Sequence, residues 1–281
     1  MSDNLVSTAW LEAHLGSPDV CIVDASWHLP AAKRDALAEF RDGHIPGAQF
    51  FDIDDLSDNA SSLPHMLPSP EKFASRMRKL GIGDGKKVIA YDAAGLFSAA
   101  RAWWMFKVFG HDDVAVLDGG LPKWRAEGRP LEDGPALKPQ ERHFTARYQS
   151  MMLRDMAEVA AAVKTGAAQI ADARSPARFR GEEAEPRAQV RAGHMPGARN
   201  VHYAKLLNAD GTLKTPAELA AVFAASGIDI AKPVITSCGS GITAAILSLA
   251  LTELGTRSHA LYDGSWTEWG GNPDSAIATG A

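Results

Sequence analysis

Residues 41–48 (RDGHIPGA) return 150 positions later as residues 191–198 (RAGHMPGA), identical at six of eight places. No other feature restricts the fold of this chain as much. Further pairs follow at similar offsets: residues 22–25 with 170–173, Val88 and Ile89 with Val234 and Ile235, and Asp118 and Gly119 with Asp263 and Gly264. The offset falls to 145, as loops of unequal length require. Solenoid repeats have periods of about 20–50 residues, so a repeat on this scale is a duplicated domain. With 281 residues, the chain has room for two ordinary domains with a core each.

Both halves alternate apolar β-branched runs with helical patterns. In the first, residues 7–15 read as a short capped helix, 20–25 as a strand ending in an acid, 87–91 as a strand, 99–109 as a helix rich in Trp and Phe, 114–117 as a strand and 121–127 as a helix. Cys21 lies within an apolar run and is read as core. Such alternation predicts an α/β fold, each half a parallel-rich sheet flanked by helices with right-handed crossovers, and it puts function at the carboxyl ends of the strands. Residues 129–142 (RPLEDGPALKPQER) are rich in Pro and charge and lack an apolar period. The expected organisation is a first domain over 1–130, a linker over 131–150 and a second domain over 151–281.

The strand-like run at Val234 and Ile235 breaks into a Gly-rich turn, SCGSG, and then becomes a helical pattern over 243–255. Cys238 therefore stands at a strand-to-helix turn, with Gly239 and Gly241 supplying conformational freedom. Backbone N–H groups converge in such turns and the following helix presents its positive end, an environment that can hold an anionic sulfur. A lone cysteine is more often a small buried hydrophobe. The two glycines and the hydroxyls of Ser240 and Thr243 favour the nucleophile. Cysteine phosphatases close their loop with an arginine after five intervening residues; here that place is Ala244. A loop without a cation suits sulfur better than a phosphoryl group. In the first half Asp92 stands where Cys238 stands in the second, so that copy is read as non-catalytic.

Composition narrows the function further. Hydrophobic residues at 46% and charged residues at 22% are ordinary for a globular chain. A net charge of −5, from 29 Lys and Arg against 34 Asp and Glu, disfavours nucleic acid and a basic membrane surface. The first residues lack a basic region followed by a long apolar run, and no stretch approaches the roughly 20 apolar residues of a span, so a cytoplasmic protein is expected. Two cysteines imply no disulfide framework. Nine histidines without ligand spacing, and no GxGxxG or GxxxxGK[ST] after a strand, lead us to expect neither metal nor nucleotide cofactor. No apolar stripe calls for a second copy, and a monomer is expected.

CGSGITA resembles the active-site loop of the 3-mercaptopyruvate sulfurtransferases, two-domain members of the rhodanese family; thiosulfate-using members usually carry Arg and Lys where this chain has Gly239 and Ser240. The resemblance runs from about residue 7 to 269 and includes ASWHLP, FFDID, HMLP, WWMF and DGSWTEW. It implies two rhodanese-like domains and sulfur transfer from 3-mercaptopyruvate, through a persulfide on Cys238, to a thiol or cyanide, with thioredoxin or another dithiol protein as an acceptor. It also implies that Arg178 and Arg187 grip the donor's carboxylate and ketone, a task suited to the planar guanidinium. Gly239, Gly241 and Thr243 belong to the substrate-holding loop, and Ser240, His65 and Asp54 form a proton relay. Read without the resemblance, Asp54 is a helix cap and His65 a loop hydrogen bond. Arg174 and Arg180 stay open between ligand and ion pair with Glu182, Glu183 or Glu185. His44 and His194 occur in both halves and are read as turn-stabilising. The rival readings are a thiosulfate sulfurtransferase and a persulfide carrier module without turnover of its own.

Overall fold

The computed structural model describes residues 3–280 and divides into two compact units. One comprises the chain up to Asn59 with Leu67–Gln149 and Asn208–Leu213; the other comprises Ala60–Met66, Ser150–Leu207 and the chain from Lys214. Each unit thus takes a short strip from the opposite half of the sequence.

The first unit holds strands β1 (Leu5–Val6), β2 (Val20–Asp24), β3 (Gln49–Phe50), β4 (Lys87–Tyr91) and β5 (Val114–Leu117), in the order β1-β5-β4-β2-β3. The second holds β6 (Leu153–Arg154), β7 (Gln169–Asp172), β8 (Arg199–Asn200), β9 (Val234–Ser237) and β10 (His259–Tyr262), in the order β6-β10-β9-β7-β8. All pairings are parallel. The duplication read from the repeat is therefore a duplication of sheet order. Central strands β4 and β9 are the Val- and Ile-rich runs, as expected of strands covered on both faces. Their registers match: Asp24 lies opposite Tyr91, and Asp172 opposite Ser237. The next residues, Asp92 and Cys238, therefore leave equivalent strand ends.

The helix after each central strand, Ala99–Val108 or Ala244–Glu253, is buried along most of its length. It forms an inner layer rather than an amphipathic surface helix. In each unit a tryptophan is fully buried and donates its indole N–H to a main-chain carbonyl: Trp124 to Pro130 and Trp266 to Arg191. Burying such a side chain contributes about 2–3 kcal/mol.

The repeated GHIPGA and GHMPGA phrases are turns. His44 stacks on Phe40 and uses Nδ1 toward its carbonyl at 2.8 Å; His194 does the same with Phe179 at 2.8 Å. Both backbones form an antiparallel bridge with a later segment, at Glu132 and Ala278. Cys21 differs from its reading as core, because it is only half-buried on β2, where burial nonetheless pushes its thiol up. Residues 131–149 run along the first unit, with Phe144 buried among Phe73, Phe106 and His111. No helix among the described residues is long and apolar enough to cross a membrane, and no group of three or more His, Cys, Asp or Glu has metal-holding geometry.

Candidate active site

Strand β9 runs buried to Ser237, and the chain then turns through Cys238, Gly239, Ser240 and Gly241 into the helix Ala244–Glu253. Gly241 has φ +80°, a left-handed conformation that an L side chain resists. Cys238 is 2% exposed. The loop is gripped from one side by the start of the helix Ser265–Gly271: Trp266 N–H donates to the Cys238 carbonyl at 2.9 Å, and Thr267 donates both its N–H (2.9 Å) and its hydroxyl (2.6 Å) to the Gly239 carbonyl. Ser265 Oγ accepts from Cys238 N–H at 3.3 Å and donates to the Tyr262 carbonyl at 2.8 Å. Holding Ser265 there requires φ +49°, a strained value for serine.

With its carbonyls thus occupied on one side, the turn has amides left for something else. The N–H groups of Gly239, Ser240 and Thr243 have no acceptor among the described residues. Buried donors are nearly always satisfied, so a row of free ones at a helix start is an anion cradle.

His65 reaches this loop. It belongs to the Ala60–Met66 strip of the second unit, is buried at φ +62°, and has Nδ1 2.9 Å from Ser240 Oγ and 3.3 Å from the Ser240 carbonyl. A hydroxyl and an imidazole in hydrogen-bond contact can pass a proton. Asp54 lies exposed in the first unit, in the helix Ile53–Leu56, and its Oδ2 accepts from Trp27 Nε1 at 3.2 Å. That helix is capped by Asp52 and not by Asp54, which removes the reading of Asp54 as the cap.

Arg178, in the helix Pro176–Arg180, brings its guanidinium over the loop: a Cβ built on Gly239 would meet its Nη2 at 3.1 Å. The guanidinium thus lies against Gly239, the residue after the cysteine, where a side chain would force it to shift by a few tenths of an ångström. Arg174 is committed to structure. Its guanidinium contacts both oxygens of buried Asp172 at 2.6–3.1 Å, donates to the Gly193 carbonyl at 2.8 Å and to Glu185 at 2.7 Å, and lies 4.4 Å over the ring of Trp266. Arg180 pairs with Glu182 on the surface. Arg187 is half-buried on the segment after Gly181.

Local sequence reasoning found the turn, its cysteine and its glycines. It did not find Ser265 and Thr267, which fix the turn, although the repeated Asp-Gly pairs at 118 and 263 mark the place where they act. In the first half the residue equivalent to Ser265 is Gly120, also at positive φ (+54°), so the geometry is common to both copies.

Residues 7–127 and 155–272 each match the Rhodanese-like domain. The chain belongs to the rhodanese family, as a tandem member with a cysteine loop in its second copy only. Among its relatives, the 3-mercaptopyruvate sulfurtransferase of Escherichia coli K12 is 46% identical over 97% of this chain and 96% of that protein. The mitochondrial thiosulfate/3-mercaptopyruvate sulfurtransferase 1 of Arabidopsis thaliana is 41% identical over 98% of this chain and 78% of its own length. The crystal structure of SseA from Escherichia coli superposes with a TM-score of 0.86 at 45% identity, covering 93% of this chain and 98% of that one.

Proposed function

We propose that this chain is a sulfurtransferase that takes sulfur from 3-mercaptopyruvate, carries it as a persulfide on Cys238 and hands it to a thiol or to cyanide. The observation that carries this reading is the cysteine at the mouth of an amide cradle with one guanidinium, Arg178, lying over its neighbour Gly239. The Cys238 sulfur attacks the donor's sulfur. The C–S bond breaks with its electron pair going to the pyruvate enolate, whose carbon takes up a proton, while the donor thiol gives one up. The outer sulfur of Cys238 is left anionic. Ser240 and His65, in contact at 2.9 Å, are suited to move that proton. Asp54 is assigned third place in the relay by the family motif FFDID. The free amides of Ser240 and Thr243, with the Thr243 hydroxyl, stabilise the persulfide charge. Arg178 and Arg187 take the donor's carboxylate and ketone, and Gly239 and Gly241 keep the cradle open.

A thiol or cyanide then attacks the outer sulfur and frees Cys238; a dithiol protein of the thioredoxin kind suits this step because its second thiol releases the transferred sulfur. We assign the chain domains over 1–130 and 151–281 with a joining segment over 131–150, a monomeric state and a cytoplasmic setting. A thiosulfate sulfurtransferase is the second reading, and the double donor in the name of the Arabidopsis relative supports testing it.

The test measures pyruvate and sulfide from 3-mercaptopyruvate with a dithiol, beside thiocyanate from thiosulfate with cyanide, and weighs the donor-treated enzyme for a gain of about 32 Da, one sulfur, on Cys238. The expected result is a strong preference for 3-mercaptopyruvate with the adduct present. A preference for thiosulfate replaces the donor assignment, and no turnover of either leaves a carrier module.

A further inference from the structure

Glu185 divides its two oxygens between two arginines of different standing. Oε1 takes Nη1 of Arg174 at 2.7 Å and Nε of Arg178 at 3.3 Å; Oε2 takes Nη2 of Arg178 in the closest contact of the group. Arg174 cannot move, being held by Asp172, the Gly193 carbonyl and the face of Trp266, with its side chain 1% exposed. Glu185 is itself 3% exposed. Its carboxylate is therefore anchored on one side and uses the other to engage the Nε–Nη2 edge of Arg178. A two-point contact of this kind fixes a guanidinium in plane as well as in position. What Arg178 has left for a ligand is Nη1 and the remaining hydrogen of Nη2, beside Gly239, the residue after Cys238.

The charge balance points the same way. Asp172 and Glu185 against Arg174 and Arg178 sum to zero, so these four side chains offer one oriented donor edge and no surplus positive charge of their own; Arg187, the other arginine assigned to the donor, is not one of the four. An anion recognised by shape, a planar carboxylate, gains from orientation. A compact dianion such as thiosulfate gains chiefly from surplus charge.

We propose that Glu185 is a positioning and specificity residue: it orients Arg178 for the donor's carboxylate and, by cancelling its charge, withholds the site from small dianions. This rests on the reading of Arg178 as a donor ligand.

The experiment measures kcat and KM of the full chain with 3-mercaptopyruvate and with thiosulfate, for wild type, Glu185→Gln, Arg178→Gln and the double variant, with a melting curve for each. Glu185→Gln is expected to raise KM for 3-mercaptopyruvate about tenfold with a smaller change in kcat, and to leave kcat/KM for thiosulfate unchanged or higher, so that the donor ratio falls at least tenfold. In the Arg178→Gln background the same substitution is expected to change that ratio by less than twofold. Equal losses with both donors, or no change in the ratio, overturn the proposal, since a residue that only supports the fold acts on both. If Arg178→Gln itself leaves KM for 3-mercaptopyruvate unchanged, the reading of Arg178 fails, and the proposal with it. Should Glu185→Gln be too unstable to assay, Arg178→Lys, which keeps the charge but loses the two-point contact, must shift the donor ratio at least fivefold, and an unchanged ratio overturns the proposal.

Discussion

The loop after β4 and the loop after β9 begin at the same register and end in the same kind of helix, yet one is filled and the other is open. In the first, the Asp92 carboxylate accepts N–H groups from Ala94 (2.8 Å), Phe97 (2.7 Å), Ser98 (2.9 Å) and Ala99 (2.8 Å), all from its own turn. In the second, Cys238 occupies the equivalent place and the amides of Ser240 and Thr243, the counterparts of Ala94 and Phe97, are unclaimed. An aspartate oxygen lies two bonds from Cβ, as the outer sulfur of a cysteine persulfide does. The Asp92 carboxylate fills in the first loop the place that, in the proposed reaction, the outer sulfur of the loaded cysteine takes in the second. The duplication thus preserved the cradle in both copies and placed a cysteine in one and a carboxylate in the other. Around the loops the contrast continues: Ser26 in the first copy stands where Arg174 stands in the second, so Asp24 is bonded to Ser26 while Asp172 is paired with a cation.

The comparison is broken most severely by exchanging the nucleophile. Cys238→Ser is expected to abolish transfer and the sulfur adduct while leaving the melting temperature within a few degrees of wild type. Asp92→Cys, the reverse exchange, is expected to add no second persulfide, because Ser26 stands where Arg174 stands in the other copy, and the residue before Phe40, the ring that stacks on His44, is the carboxylate Glu39, whereas the residue before its counterpart Phe179 is Arg178. Mass spectrometry after donor treatment reads both, and a two-sulfur adduct on Asp92→Cys would show that the cradle alone makes a site.

A smaller effect follows from emptying the first cradle. Asp92→Ala removes the acceptor of four N–H groups, and the expected cost is about 3–5 kcal/mol in urea unfolding. Formate or acetate, offered at concentrations that leave wild type unchanged, should return part of that loss by entering the vacated cradle. Equal response of variant and wild type to the salt would mean that no anion site was opened.

The smallest effect is a pH dependence set by Asp24 of the first copy. Burial, offset in part by the Ser26 hydroxyl and N–H, pushes the Asp24 carboxyl up to about 6. Because this lies above the ordinary carboxylate value, protonation favours the folded state: the contribution is complete below about pH 4 and lost as pH rises through about 6. Asp24→Asn is therefore expected to be more stable than wild type by about 2–3 kcal/mol at pH 8 and by little at pH 4. Chemical denaturation at the two pH values measures the difference, and a gain of the same size at both would place its origin in packing.

Much of this contrast was legible in the chain itself. Val234 and Ile235 before two glycines announce a buried strand breaking into a turn, and the presence of Asp92 in register with Cys238 showed that only the second loop carries a cysteine. These signals are local, or repeat at a fixed offset. The partners of Arg174 were not legible, because Glu182, Glu183 and Glu185 are chemically alike and near in sequence; only the path of the chain after Gly181 brings Glu185 back toward Asp172. Ser265 was hidden for a related reason. Its left-handed backbone is filled by glycine in the other copy, and nothing in a serine's identity signals that it will be held there by the Tyr262 carbonyl and the Cys238 N–H. His65 was found through a motif, while its attachment to Ser240, 175 residues away, has no signature along the chain.

The two exchanged strips have a consequence for synthesis on the ribosome. The first unit includes Asn208–Leu213, so a nascent chain stalled near residue 150 has the whole first sheet in hand but lacks a piece of its own body. The strip whose partners are Gly95, Asp118 and Lys123 emerges only after β6, β7 and β8, and the piece that brings His65 to the cysteine loop waits, already made, for Ser240 to appear. Neither unit can be finished before the other is well begun, and a cut between the two sequence halves would separate each unit from a segment that belongs to it.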